Sequence, residues 1–142
     1  MPLHKIIASC LLIAAALSFA GSPRFAGPDF SGVYDCKGMD ARVGAYTATA
    51  TLELVRDQSA GPYGAYRFKL EVPDYGTYLG QAAAEWRSIA FHFGLPDPGA
   101  TDFGTGIATM KKTSTGKWRY RKYYYEPDYE GGDHGIEDCV QR

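Results

Sequence analysis

"YRFKLEV", residues 66–72, decides the fold. Tyr66, Phe68, Leu70 and Val72 alternate with Arg67, Lys69 and Glu71, so one face is apolar and the other charged. Successive side chains of a strand point to opposite faces, and this pattern predicts a half-buried antiparallel strand. The same period runs outward in both directions. "YTATATLEL" (46–54) sets Tyr46, Ala48, Ala50, Leu52 and Leu54 against threonines and Glu53, and "SIAFHFGL" (88–95) aligns Ile89, Phe91, Phe93 and Leu95. "GTGIATMKK" (104–112) and "KWRYRKYYYE" (117–126) continue the series.

Turn signals separate these runs: Ser59-Ala60-Gly61-Pro62, Pro73-Asp74-Tyr75-Gly76, Pro96-Asp97-Pro98-Gly99, Ser114-Thr115-Gly116 and Glu130-Gly131-Gly132-Asp133. The segmentation predicts strands over 32–37, 46–56, 64–73, 78–86, 88–95, 104–112, 117–126 and 134–141. "GQAAAEWRS" (80–88) is the ambiguous piece, because its alanines favour helix. As a strand it places Gly80, Ala82 and Ala84 on one face with Tyr78 and Trp86, and small residues suit a crowded barrel wall. Short links between consecutive strands predict a meander. Eight such strands predict an all-β, eight-stranded antiparallel up-and-down barrel without free edges, with a β-sandwich as the alternative.

The chain opens differently. His4 and Lys5 precede the uncharged apolar run "IIASCLLIAAALSFA" (6–20), and Ser18-Phe19-Ala20 offers small residues for cleavage. This reads as a secretory signal peptide over 1–20, cut near Ala20, and it is short for a membrane span. One domain follows over 21–142, with 21–29 expected to be flexible. The expected location is periplasmic or secreted, without stable membrane insertion.

The whole chain has 15 Lys+Arg and 16 Asp+Glu; losing Lys5 with the signal leaves the mature protein near −2. Nothing in that balance favours nucleic acid. Cys10 departs with the signal, which leaves Cys36 and Cys139 as an even pair in an oxidising compartment and predicts a disulfide between the first and last strands.

"FSGVYDC" (30–36) resembles the Gly-x-Trp opening of calycin barrels such as lipocalins and avidins, with Tyr34 where Trp is expected. "YDCKG" (34–38), with a second Cys near the C-terminus, is similar to small secreted inhibitors of c-type lysozyme, but their Ser-rich inhibitory loop has no counterpart here. The whole has the look of a small proteobacterial secreted family. These resemblances imply a calycin-like barrel that binds a ligand or a protein.

"KWRYRKYYYEPDYEGGDHGIEDC" (117–139) concentrates the chemistry. Alternation places Trp118, Tyr120, Lys122 and Tyr124 on one face and Arg119, Arg121, Tyr123 and Tyr125 on the other. Paired as a hairpin, its bases and acids meet across the ladder, with each pair worth about 0.2–1 kcal/mol. On that reading Glu137→Gln is a modest change. Trp118, Tyr120, Tyr123, Tyr124 and Tyr125 are candidate ligand-binding residues, since aromatic side chains give contact area at low entropy cost. The acids Asp128, Glu130, Asp133, Glu137 and Asp138 lack the EF-hand spacing, so no metal site or cofactor is expected. His92 and His134 have no nucleophile motif around them. The expected function is non-enzymatic binding of a small apolar or amphipathic ligand in the barrel, or of a protein partner on its rim. Lysozyme-inhibitor-like activity, or a hydrolase built on the acid-rich 126–138 hairpin, is the alternative.

Overall fold

Residues 21–142 are described by the computed structural model, and within them the alternating runs form nine strand segments. The proposed signal peptide lies outside the described residues. The segments are β1 (Gly32–Asp40), β2 (Gly44–Leu54), β3 (Tyr63–Val72), β4 (Gly76–Glu85), β5 (Ser88–Gly94), β6 (Phe103–Thr109), β7 (Lys111–Lys112), β8 (Trp118–Glu126) and β9 (Asp133–Gln141). β6 and β7 both pair with β8 in one continuous register across Met110, so they make a single stave. The eight staves are antiparallel and follow the meander, and β6–β8 pairing closes the sheet into a barrel compatible with a calycin-like fold. That closure removes the sandwich alternative.

One lateral rung shows how the barrel is wound. Starting on β3, opposed residues run Ala65, Ala83, Ala90, Ile107, Tyr123, Ile136, Met39 and Ala45. The walk ends on β2 at Ala45, ten residues short of Val55, whose N–H donates to the carbonyl of Ala65. A stagger of ten over eight strands tilts them by roughly 40° and leaves an interior that side chains can fill.

Side chains do fill it. Tyr66, Phe68, Leu70, Ile89, Phe91, Phe93 and Leu52 are buried, as alternation requires, and Leu54 packs at the margin. Aromatic contacts run along the axis: Tyr34–Tyr120 at 5.4 Å, Tyr120–Phe91 at 5.5 Å, Phe91–Phe68 at 5.0 Å and Tyr78–Phe93 at 5.8 Å between ring centroids. One end is shut by Phe30, which meets Trp118 edge-on at 4.8 Å and accepts a hydrogen bond on its carbonyl from Tyr34. The preceding segment is tied down by the N–H of Ala26 to the carbonyl of Gly61 and by the Tyr66 hydroxyl to that of Pro28.

"GQAAAEWRS" is strand as far as Glu85, with Ala82 and Ala84 facing in. Trp86 does not join them: it turns with φ 50° and is exposed, because the β4–β5 link is only two residues long. Cys36 and Cys139 are directly opposed on β1 and β9, with Cα atoms 4.1 Å apart, and form the disulfide. That bond is consistent with an extracytoplasmic location. Among the described residues, no helix is long and apolar enough to cross a membrane.

Candidate functional site

The two ends of the barrel differ. At the end opposite Phe30, the turns after β1, β3 and β8 and the loop before β6 surround a cavity of about 340 Å³. This is near the lower end of the roughly 300–1,000 Å³ that small-molecule pockets occupy. A wider depression, about 1450 Å³, follows the outer wall past Ile107, Tyr123 and Val140. Its Arg121 and Asp138 are exposed and already paired with each other, so the titratable groups that converge out of water are those of the end cavity.

Alternation delivers them. Asp40 shares the inward parity of Tyr34 and Cys36, Glu126 that of Tyr124, and Asp133 that of Cys139; all three acids are buried. Asp40 ends β1. Its Oδ1 accepts the backbone N–H groups of Arg42 and Val43 at 2.8 and 2.9 Å, and its Oδ2 accepts the Tyr124 hydroxyl at 2.8 Å. Tyr124 has room because it lies over Gly135, its partner on β9, where a Cβ would collide with the phenol. Gly38 makes the same room for Tyr46, whose hydroxyl donates to Glu137 Oε1 at 2.7 Å. Across the cavity, Asp102 Oδ2 accepts the hydroxyls of Tyr75 at 2.6 Å and Tyr78 at 2.9 Å.

Charge is unevenly distributed. Burial works to raise the pKa of Asp40, but the hydrogen bonds from Val43, Tyr124 and Arg42 outweigh it and hold the carboxyl below its usual range. Glu126 goes the other way. Burial first, then repulsion from Asp102, Asp40 and Asp133, push it up to about 7, and Lys122 offsets this only in part. Burial, with the neighbouring Asp102 next, raises the Tyr78 phenol, so it remains a donor at neutral pH.

Of the five tyrosines that line the cavity, four have their donors committed. Tyr46, Tyr75, Tyr78 and Tyr124 each direct a hydroxyl at a carboxylate. Buried acceptors remain: among the described residues, Asp102 Oδ1 and Asp133 Oδ2 have no hydrogen-bond partner although both residues are buried. Asp133 Oδ2 has only Arg42 Nε at 3.7 Å. Asp40, Glu126 and Asp133 can bring carboxylate oxygens within 4.8 Å of one another.

Of the aromatics singled out in the sequence, Tyr124 lines this cavity. Tyr120 is deep in the barrel beside Tyr34 and Phe91, Trp118 packs on Phe30 at the shut end, and Tyr123 and Tyr125 project from the outer wall. The five are not one site. Asp40, Tyr46 and Tyr78 come from other staves, Tyr75 and Asp102 from the links between staves, and they were not legible as a group. The available signal was parity: an acid in register with core residues faces inward. Comparison of the chain with protein-family models, with curated proteins and with solved structures finds no match.

Proposed function

We propose that this is a calycin-like binding protein that takes a small molecule in the cavity at the open end of the barrel, not along its axis. The observation that carries the reading is the contrast between the two regions. The axis is filled by contacting aromatic rings, while the mouth keeps about 340 Å³ bordered by buried polar groups with unused capacity. Sites of this kind combine an apolar base with a few convergent polar groups. Leu70, Val72 and Phe93 supply that base here.

The test is a fragment screen by NMR on the disulfide-bonded protein, alongside native mass spectrometry of protein purified from its own compartment. A retained molecule, or fragment shifts confined to the amides of Val43, Tyr75 and Tyr129, supports the reading. Shifts confined to Ile107, Tyr123 and Ile136 on the outer wall would replace it with a protein-facing role, the setting in which inhibitor-like activity belongs.

A second reading has its own support. Glu126 is pushed up to about 7 while Asp40 is held low, and carboxyls driven apart in this way mark acid–base pairs in hydrolases. Against it, both oxygens of Asp40 are already engaged by donors. Hydrolysis of a panel of glycosides and esters that disappears in Glu126→Gln would favour this reading over simple binding.

A further inference from the structure

Lys122 shows what the interior of this barrel does with an ammonium group. Its side chain is wholly buried, and Nζ lies 2.7 Å from Glu137 Oε2. The same nitrogen is 4.7 Å from the centroid of Phe93, 5.1 Å from Phe68 and 5.5 Å from both Phe91 and Tyr124. Carboxylate on one side and aromatic faces on the others is the usual enclosure for a desolvated cation.

The cavity at the open end adjoins this enclosure through Phe93, Tyr124 and Glu137. It repeats the materials without the cation. Among the described residues, its lining has six acidic residues and no Lys or Arg. Among the described residues, Asp102 Oδ1 accepts no hydrogen bond and Asp133 Oδ2 has only Arg42 Nε at 3.7 Å, and they belong to side chains 6% and 2% exposed. Tyr75 and Tyr78, stacked at 6.2 Å, add aromatic surface. A buried acceptor left unsatisfied carries the full cost of its desolvation, the more so if it is charged. A ligand that fits must bring donors and positive charge.

We infer that the open-end cavity is a site for a small organic ammonium ion, held by Asp102, Asp133 and Glu126 and flanked by tyrosine rings; this rests on the cavity being the ligand site. A bare metal ion fits the donors less well. Asp40, the third member of the carboxylate cluster, has each oxygen taken by N–H or O–H donors, and Asp133 has its Oδ1 on the N–H of His134 at 2.7 Å and its Oδ2 facing Arg42 Nε at 3.7 Å, which leaves Glu126 as the free member. Asp102 stands apart from that cluster, so the free acceptors are spread around a space larger than one ion.

The experiment is calorimetric titration of the disulfide-bonded protein with four probes: 1,4-diaminobutane, butane-1,4-diol, succinate and calcium chloride. The diamine should bind at one site. The diol, with the same length and no charge, should bind at least tenfold more weakly, and succinate should not bind. Asp102→Asn and Glu126→Gln should each weaken the diamine by roughly tenfold or more, the scale of one hydrogen bond to a charged group. Their near-ultraviolet circular dichroism should match the parent, which separates lost binding from lost folding. Diol binding as tight as the diamine, mapped to the same amides, overturns the cationic inference and leaves the ligand site standing. Calcium binding without diamine binding overturns it in favour of a metal. Diamine affinity unchanged in both folded variants, or no diamine binding at millimolar concentration, also overturns it. In the last case the NMR map decides the ligand-site reading separately.

Discussion

Glu126 closes β8 with its carboxyl out of water and three other acids around it. Its pKa of about 7 in the folded protein lies above the 4.5 of an exposed glutamate. The native state therefore holds a proton that the unfolded chain releases between those values. The resulting stabilisation is fully present below about pH 4.5 and is lost as pH rises through about 7. The whole effect is of order 3 kcal/mol. Asp40 acts in a different window, because its pKa is lowered: its contribution is present above the ordinary aspartate range and is lost in stronger acid. Melting temperatures measured from pH 5 to 8 should fall for the parent relative to Glu126→Gln, whose amide does not titrate. Parallel curves for the two proteins would show that Glu126 is ionised throughout and is solvated better than its burial indicates. The inward direction of Glu126 could be read from its parity with Tyr124. Its protonation could not, because burial and the approach of Asp40 and Asp102 from distant parts of the chain add to the neighbouring Asp133.

The hairpin of β8 and β9 carries two unlike ion pairs. Arg121 and Asp138 face solvent and meet through two hydrogen bonds, at 2.7 and 2.8 Å. Lys122 and Glu137 are opposed one position along the ladder and face the interior. The alternating pattern anticipated the hairpin, the pairing of bases with acids and the placing of Lys122 on one face with Trp118, Tyr120 and Tyr124. It did not yield the energy of the inner pair, and the modest effect expected for Glu137→Gln is revised here. An exposed pair is worth 0–1 kcal/mol, whereas removing one partner of a buried pair leaves an uncompensated charge and costs about 3–5 kcal/mol. Glu137→Gln should therefore destabilise by that larger amount, and Asp138→Asn by less than about 1 kcal/mol, in urea unfolding at pH 7. The double change Lys122→Met, Glu137→Leu should recover most of the loss, since apolar replacement removes both desolvation costs. Equal effects of Glu137→Gln and Asp138→Asn would place Lys122 in contact with water and undo the enclosure described for it.

Closure of the barrel is where sequence and structure agree most closely, and the reason is geometric. Period two fixes which face of each stave is buried, short links fix the order, and a first and last strand can be neighbours in a meander only if the sheet closes. Two cysteines, one on each of those strands, then report closure in the sequence itself. The register could not be read the same way, because turns of unequal length set it stave by stave; the stagger of ten emerges only from the complete ladder. The β1–β9 ladder runs from Tyr34 to Asp40 independently of the disulfide at Cys36 and Cys139. The covalent link therefore acts mainly by restricting the unfolded chain. For a sequence separation of 103 residues the chain-entropy relation gives roughly 4–5 kcal/mol. Thiol labelling of the denatured chain over residues 21–142 should find no free cysteine. Cys36→Ala with Cys139→Ala should lower the melting temperature by more than about 10 °C. Hydrogen exchange should nevertheless still protect the amides of β1 and β9, because their ladder survives in the folded state. Lost protection confined to β1 and β9 in the variant would show instead that the disulfide, not the ladder, holds the barrel shut.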